Sequence, residues 1–247
     1  MKGFRRILIA LALAATLAPT QAMAQLGEIR RGFAIGGSAG VALNRIGFDP
    51  TIKQFWHVGP TAGITARFTS ELYFKALCSL QVELNFAQAG WREHILDYEG
   101  YELPDTYSHQ LNYVQLPILA RLAWGKEDGL MVAFCAGPQL SYLIGEGSKQ
   151  SSTWTTDESG NPDRPNGLFA QYSMTADHRF EYGITAGLGC ELATSIGRFA
   201  IEGRYFYGLS DIYKNSKKDV FARSNNGTII VKLSYLFDLK PSKGSQR

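Results

Sequence analysis

Three groups of residues in this chain have the types and spacing to do chemistry. Gly36-Gly37-Ser38-Ala39-Gly40 matches the G-x-S-x-G elbow, in which a serine on a sharp turn between strand and helix becomes a nucleophile. Ser141, His178 and Asp211 supply the hydroxyl, imidazole and carboxylate of an acyl-transfer centre. At the rim of a membrane barrel such a trio would act on lipid. The four histidines are His57, His94, His109 and His178, and the last stands three residues before Glu181. That H-x-x-E spacing brings two metal ligands together on a helix but sends them to opposite faces of a strand.

What each group can do depends on the element that carries it. An elbow needs a helix after its strand, and no amphipathic helix follows Ser38 or recurs anywhere in the chain. Period-two alternation recurs eight times instead. In 180–192, Phe180, Tyr182, Ile184, Ala186, Leu188, Cys190 and Leu192 share one face, with Glu181, Gly183, Thr185, Gly187, Gly189 and Glu191 on the other. In 76–86, Ala76, Cys78, Leu80, Val82, Leu84 and Phe86 oppose Ser79, Gln81, Glu83 and Asn85. Strand 113–124 sets Val114, Leu116, Ile118, Ala120, Leu122 and Trp124 against Tyr113, Gln115, Pro117 and Arg121. Pro117 lacks an N–H donor, which predicts a bulge or bend there. The remaining strands fall near 32–43, 58–69, 130–143, 198–209 and 227–239. Each covers the ~9–11 residues that a tilted strand needs to cross a bilayer.

Ser38 therefore reads as a small residue inside a strand, and His178 with Glu181 as a pair split across one. The connections alternate strictly in length. Short links at 70–73, 125–129 and 194–197 separate long ones at 44–57, 87–110, 144–177 and 210–226. Outer-membrane barrels have this asymmetry, with short periplasmic turns and long external loops. An even strand number and a long first connection put both chain ends in the periplasm. The third long loop is rich in Ser, Thr, Gly, Asn and Pro and reads as a mobile external loop. Its Trp154, Phe169 and Tyr172 are candidates for touching a partner or the lipopolysaccharide surface. Asn226-Gly227-Thr228 is a formal glycosylation sequon of little weight in a bacterial precursor.

Alternation does not by itself say which face is inside, because a lipocalin-like soluble barrel carries the same period with its apolar face inward. Three features favour the membrane version. Gly36, Gly63, Gly137, Gly183, Gly187 and Gly189 lie mid-strand on the polar face, where small residues relieve crowding in a narrow barrel. Aromatic residues of the apolar face gather toward strand ends, Phe68, Trp124, Phe199, Tyr235 and Phe237 at one side and Phe86, Tyr142, Phe180, Tyr182 and Tyr207 at the other. Such belts sit at membrane–water interfaces. Lastly, 1–24 has the pattern of a signal peptide: Lys2, Arg5 and Arg6, then an apolar run from Ile7 to Ala18, then Ala22-Met23-Ala24 as a cleavage site.

The expectation is thus an all-β, eight-stranded, antiparallel up-and-down transmembrane barrel over 25–239, followed by a polar tail at 240–247. Its lumen holds Arg67, Glu83, Arg121, Glu181, Glu191, Glu202, Arg204 and Lys232. Opposite charges in so narrow a space must pair, which predicts a plugged barrel rather than a pore. Without the first 24 residues, 22 basic side chains balance 22 acidic ones, so no basic field argues for nucleic acid. No stretch of the chain reaches the length of an apolar membrane helix. Cys78, Cys135 and Cys190 read as small mid-strand fillers, with a pair between two of them left open. No cofactor is expected.

SLQVELNFAQAG (79–90), YVQLPILARL (113–122), FCAGPQLSYLI (134–144), GITAGLGCEL (183–192) and RYFYGLSDIY (204–213) resemble, in order, the motifs of the Bacteroidetes outer-membrane β-barrel family that includes PorT. The resemblance implies an eight-stranded barrel of the outer membrane, a Bacteroidetes-type source, and for PorT a link to type IX secretion. It implies no catalytic residue. Expected partners are outer-membrane lipid and lipopolysaccharide, the barrel-insertion machinery, and secretion or surface proteins. The expected function is non-enzymatic. A lipid-modifying enzyme at the external rim and a soluble periplasmic ligand-binding barrel are the alternatives.

Overall fold

The computed structural model describes residues 27–97, 99–164 and 168–242. The segment 1–24, expected to be a signal peptide, and most of the expected polar tail lie outside these residues. The strands are β1 (Glu28–Asp49), β2 (Gln54–Phe55), β3 (His57–Tyr73), β4 (Ala76–Glu93), β5 (Tyr107–Gly125), β6 (Leu130–Gln150), β7 (Phe180–Thr194), β8 (Gly197–Asp211) and β9 (Arg223–Lys240). Eight long strands pair antiparallel with their sequence neighbours, and β1 pairs with β9, so the sheet closes on itself. The two residues of β2 add a short pairing to the end of β4, Gln54↔Glu93 and Phe55↔Arg92.

Closure disposes the faces as the alternation requires. Leu84, Phe86, Phe134, Ile184, Leu188, Ile201 and Leu233 point outward and are exposed. Gln81, Glu83, Gln115, Arg121, Thr185, Glu202 and Lys232 point inward and are buried. The outer wall is an apolar band and the lumen a polar filling, the arrangement of a barrel in lipid.

Beyond this band, at the end bearing the long connections, the strands continue with the alternation reversed. On β4, Gln88 and Arg92 face outward while Ala89 and Trp91 are buried inside. On β5, Ser108, Gln110 and Asn112 face outward while Tyr107, His109 and Leu111 are buried. On β1, Arg45 faces outward between inward Asn44 and Ile46. The outer wall here is polar and the interior apolar, as in a barrel standing in water. This reversal is why 32–43, 76–86 and 113–124 fall short of the observed strands at that end.

Two further expectations need correction. Pro117 introduces no bulge: Pro117↔Gln139 and Ala120↔Ala136 hold one register, and the shift lies at Asn112/Tyr113. The proline costs one donor locally and leaves the ladder in step. The first short link sits at Phe74 and Lys75 rather than at 70–73, because β3 pairs with β4 as far as Tyr73↔Ala76. The three cysteines are unpaired, Cys135 inward and Cys190 outward.

Two apolar clusters bracket the polar lumen. Leu77, Ala123, Met131 and Ala133 close the turn end. A larger cluster including Phe48, Trp91, Tyr107, Leu111, Tyr213 and Phe221 fills the loop end. Its rings meet closely, Phe48 to Phe221 at 4.7 Å and Trp91 to Tyr107 at 5.1 Å between centroids, distances at which aromatic pairs attract beyond their buried area.

The inward glycines serve the walls more than the filling. A Cβ on Gly36 would lie 1.8 Å from the Tyr235 carbonyl oxygen, and one on Gly137 would lie 2.1 Å from that of Ile118. What they relieve is contact with the backbone of the adjacent strand. Gly36→Ala should therefore cost about 3 kcal/mol or more and block folding. The outward Gly37→Ala, whose Cβ meets nothing nearer than 3.8 Å, should fold normally. Heat-modifiable mobility on a gel reads this directly, and equal behaviour of the two variants would contradict it.

Candidate functional site

The lumen is built in tiers. Toward the turn end, Glu191 on β7 receives Arg67 from β3, Arg121 from β5 at 2.9 Å and Arg198 from β8 at 3.2 Å. Arg198 also grips Asp238 on β9 at 2.9 Å. At mid-barrel, Glu83 on β4 receives Arg204 at 2.8 Å and Lys232 at 2.6 Å. Glu202 takes Arg204 at 2.7 Å. Gln81 links the tiers: it accepts from Arg67 Nε at 2.9 Å and donates to Glu83 at 2.6 Å. Asn85 adds a donor to Glu83 at 2.9 Å.

Seven of the eight expected lumen residues thus join two linked ionic clusters. Glu181 does not. Its partner is Asn226 Nδ2 at 2.7 Å, and no cation pairs with it among the described residues. Around it lies a neutral tier in which Asn44 donates to Thr228 at 2.6 Å and Thr185 donates to Gln139 at 2.8 Å. Asn226 is 1% exposed, so the sequon is buried in the lumen wall. Arg198 and Asp238 escape the sequence reading because they stand at strand ends. Yet Arg198 shares its face of β8 with Glu202 and Arg204, which is the signal that finds it.

None of the catalytic patterns assembles. Ser38 lies mid-strand, paired with Gly63 on one side and Ser234 on the other. Ser141 is 2% exposed and its hydroxyl has no hydrogen-bond partner among the described residues, while His178 is exposed and its Nδ1 lies 3.1 Å from the backbone oxygen of Asp211. The Asp211 carboxylate accepts from Ser224 N and Asn215 Nδ2 instead. Of the other histidines, His109 is buried 3.2 Å from Glu146, and the His94 ring meets Phe55 at a tilt with centroids 4.2 Å apart. His57, at the start of β3, is half-buried. Among the described residues no three potential metal ligands lie together.

The third long loop differs from expectation. β6 runs on to Gln150, and beyond it Trp154, Leu168, Tyr172, Met174 and Ala176 pack against the apolar cluster at the barrel mouth. Trp154 and Tyr172 are half-buried against that cluster, while Phe169 stays exposed. Arg164 pins the fold. Its Nε donates to the Tyr172 hydroxyl at 2.6 Å, its Nη1 to the Asp163 carbonyl at 2.6 Å, and the guanidinium lies 5.0 Å over the Trp154 ring. Asp105, on the preceding long connection, accepts from Arg164 Nη1 at 3.4 Å and from Thr155 N at 3.0 Å. Burial pushes the Tyr172 hydroxyl above its ordinary pKa, and the neighbouring Glu93 carboxyl pushes the same way. A loop rich in polar residues is held here by one buried arginine between two rings.

Beside this arginine is a cleft of about 390 Å³, bounded by the first, second and third long connections. Ile52 and Lys53, Glu93 and Leu96, and Arg164, Leu168 and Gln171 are among its walls. The lumen and this cleft both gather buried polar groups. For the lumen, removing one partner should expose the cost of the rest: Glu83→Gln leaves Arg204 and Lys232 to share Glu202, a loss of about 3 kcal/mol. Adding Lys232→Met should recover a substantial part of it, a coupling visible in urea unfolding from vesicles. Strictly additive losses would show that the pair is not coupled.

A family model described as the outer membrane protein beta-barrel domain matches residues 23–214. No curated protein matches. Among solved structures, the chain is similar to OprG from Pseudomonas aeruginosa, at 12% identity over 85% of this chain and 98% of that one, with a TM-score of 0.43. It is similar to Ail, the attachment invasion locus protein of Yersinia pestis, in complex with the heparin analogue sucrose octasulfate, at 13% over 83% and 99%, with a TM-score of 0.36. Neisserial surface protein A matches at 12% over 83% and 97%, also with a TM-score of 0.36. The chain belongs to the outer membrane protein β-barrel domain family and is an outer-membrane β-barrel protein.

Proposed function

We propose that this is a non-enzymatic, non-conducting barrel that displays a folded loop platform at the cell surface, in a surface-interaction or secretion-accessory role akin to that of PorT. The observation that carries this reading is the continuous filling of the interior. An apolar cluster, two linked ionic clusters, a neutral polar tier and an aromatic cluster follow one another from turn end to loop end. With eight strands the lumen is only wide enough for its own side chains, which leaves the loop end to meet partners. The separation of Ser141 from His178 favours the non-enzymatic reading. The Bacteroidetes-type, PorT-like assignment rests on the five strand motifs.

In this reading residues 1–24 are removed on export, residues 25–239 are inserted by the barrel-assembly machinery, and both chain ends face the periplasm with the tail at 240–247. The charge at the band's upper edge supports the orientation. A groove of about 490 Å³ on the outer wall gathers Arg45, Lys53 and Arg223 with Trp56, Tyr205 and Tyr207. None of the three cations enters an ion pair among the described residues, and Arg45 lies 4.2 Å over the Trp56 ring. Unpaired cations above a ring of aromatics suit the phosphates of lipopolysaccharide in the outer leaflet.

Planar-bilayer recording of the purified barrel should show no discrete conductance steps, and stable steps would overturn the plugged reading. A deletion strain should show altered secreted or surface proteins, and an unchanged secretome and surface would remove the accessory role while leaving the barrel intact.

A further inference from the structure

Above the apolar band, β6 climbs farther than β7 beside it. The two pair only as far as Tyr142↔Phe180, and Leu143 N donates to the Arg179 carbonyl at 2.7 Å. Beyond that point residues 144–150 have β5 on one side, from Asn112↔Gly145 to Tyr107↔Gln150, and no strand on the other. The ladder decides which backbone groups this leaves open. Just past β6, Ser151 N donates to the Thr106 carbonyl at 3.0 Å, and in an antiparallel pair bonded and unbonded positions alternate. Gly145, Gly147 and Lys149 therefore use their N–H and C=O groups on β5. Glu146, Ser148 and Gln150 turn theirs to the open side, where no backbone partner meets them among the described residues. Residues 147–150 are all exposed.

The same edge carries two glycines that its own fold does not require. Neither Gly145 nor Gly147 has a left-handed φ. A Cβ on Gly145 would meet nothing nearer than 3.8 Å, and one on Gly147 nothing within 4 Å. Glycine weakens a strand interior and often marks a place where another backbone comes close. Two exposed cations flank the edge, Lys149 at its upper end and Arg179 at its lower, and neither enters an ion pair among the described residues. The nearby acids are already engaged. Glu146 holds His109 Nε2 at 3.2 Å and Ala176 N at 2.9 Å, and Asp177 holds Lys214 at 3.3 Å.

We propose that residues 144–150 of β6 take up an extended acidic segment of a partner protein as an added strand. Backbone bonds to Glu146, Ser148 and Gln150 hold the segment, as in other cases of strand addition at a sheet edge. Lys149 and Arg179 select aspartate or glutamate in it. An open edge also invites pairing between copies, but a second copy would bring the same two cations against these, so the charge favours a different chain. This deepens the surface-interaction reading by naming the partner's chemistry. Because the test adds peptide to the isolated barrel, an unchanged secretome in a deletion strain leaves it untouched.

The test uses the full-length folded protein in a zwitterionic detergent and a fluorescent, end-blocked heptapeptide alternating valine with aspartate. Two controls are the same peptide with lysine for aspartate, and the acidic peptide with its alternate amides N-methylated. The acidic peptide should bind saturably and slow hydrogen exchange at the Glu146, Ser148 and Gln150 amides, read by NMR, while neither control does so. Ser148→Pro removes an N–H that β5 does not use, and should weaken binding tenfold or more, about one hydrogen bond's worth. Unchanged heat-modifiable mobility would show that this variant is folded. Lys149→Glu with Arg179→Glu should reverse the preference toward the lysine peptide. Absence of saturable binding by the acidic peptide would overturn the proposal, as would equal binding of either control or of the Ser148→Pro variant. Concentration-dependent protection of the same three amides without peptide would also overturn it, by making the edge an interface between copies of this chain.

Discussion

A strand that crosses hydrocarbon finds no water for its backbone N–H and C=O groups, so the sheet has to close, and here it closes where β1 meets β9. That ladder runs from Phe33↔Lys240 to Asp49↔Arg223, along nearly the full height of the wall. With eight strands the ring is narrow, and narrowness sets two further conditions. Strands approach so closely that an inward Cβ at Gly36 or Gly137 would strike the neighbouring backbone. The lumen, too small to hold bulk water, must satisfy every charge it encloses with another side chain.

The polar interior is arranged accordingly. Glu191 serves three arginines and Glu83 serves Arg204 and Lys232, while Gln81 ties the two groups together. The wall itself answers to what lies outside it. Where Leu84 and Phe86 meet the apolar band's surroundings, the inside is ionic. A few residues on, where Gln88 and Arg92 face outward, the inside is Trp91, Tyr107 and Phe221. Of the strands that make the membrane barrel below, β1, β4 and β5 continue into a water-type wall above, and loop residues pack onto its apolar mouth.

The lower storey was legible in the sequence because lipid outside and charge inside give a clean alternation, as in Ala76–Phe86. The upper storey was not, since a scan for apolar-outward alternation stops where the pattern reverses, at Ala87 on β4 and before Tyr113 on β5. Residue type identified the buried charges but not their pairing: Glu181 looks like Glu191 in sequence, yet one meets Asn226 and the other three arginines. The cleft was hidden for a different reason. Glu93, Arg164 and Gln171 come together through loop folding, and no period links residues on separate connections.

The central claim is that one strand changes its outer environment between Phe86 and Gln88, and nitroxide labels along β4 test it most directly. Placed singly at Leu80, Leu84, Phe86, Gln88 and Arg92 in the bilayer-reconstituted barrel, they report collisions with oxygen, which partitions into lipid, and with a nickel chelate, which stays in water. The account predicts oxygen-dominated accessibility at the first three positions and chelate-dominated accessibility at Gln88 and Arg92. Chelate access at Leu84 equal to that at Arg92, or lipid-like behaviour at all five, would contradict it.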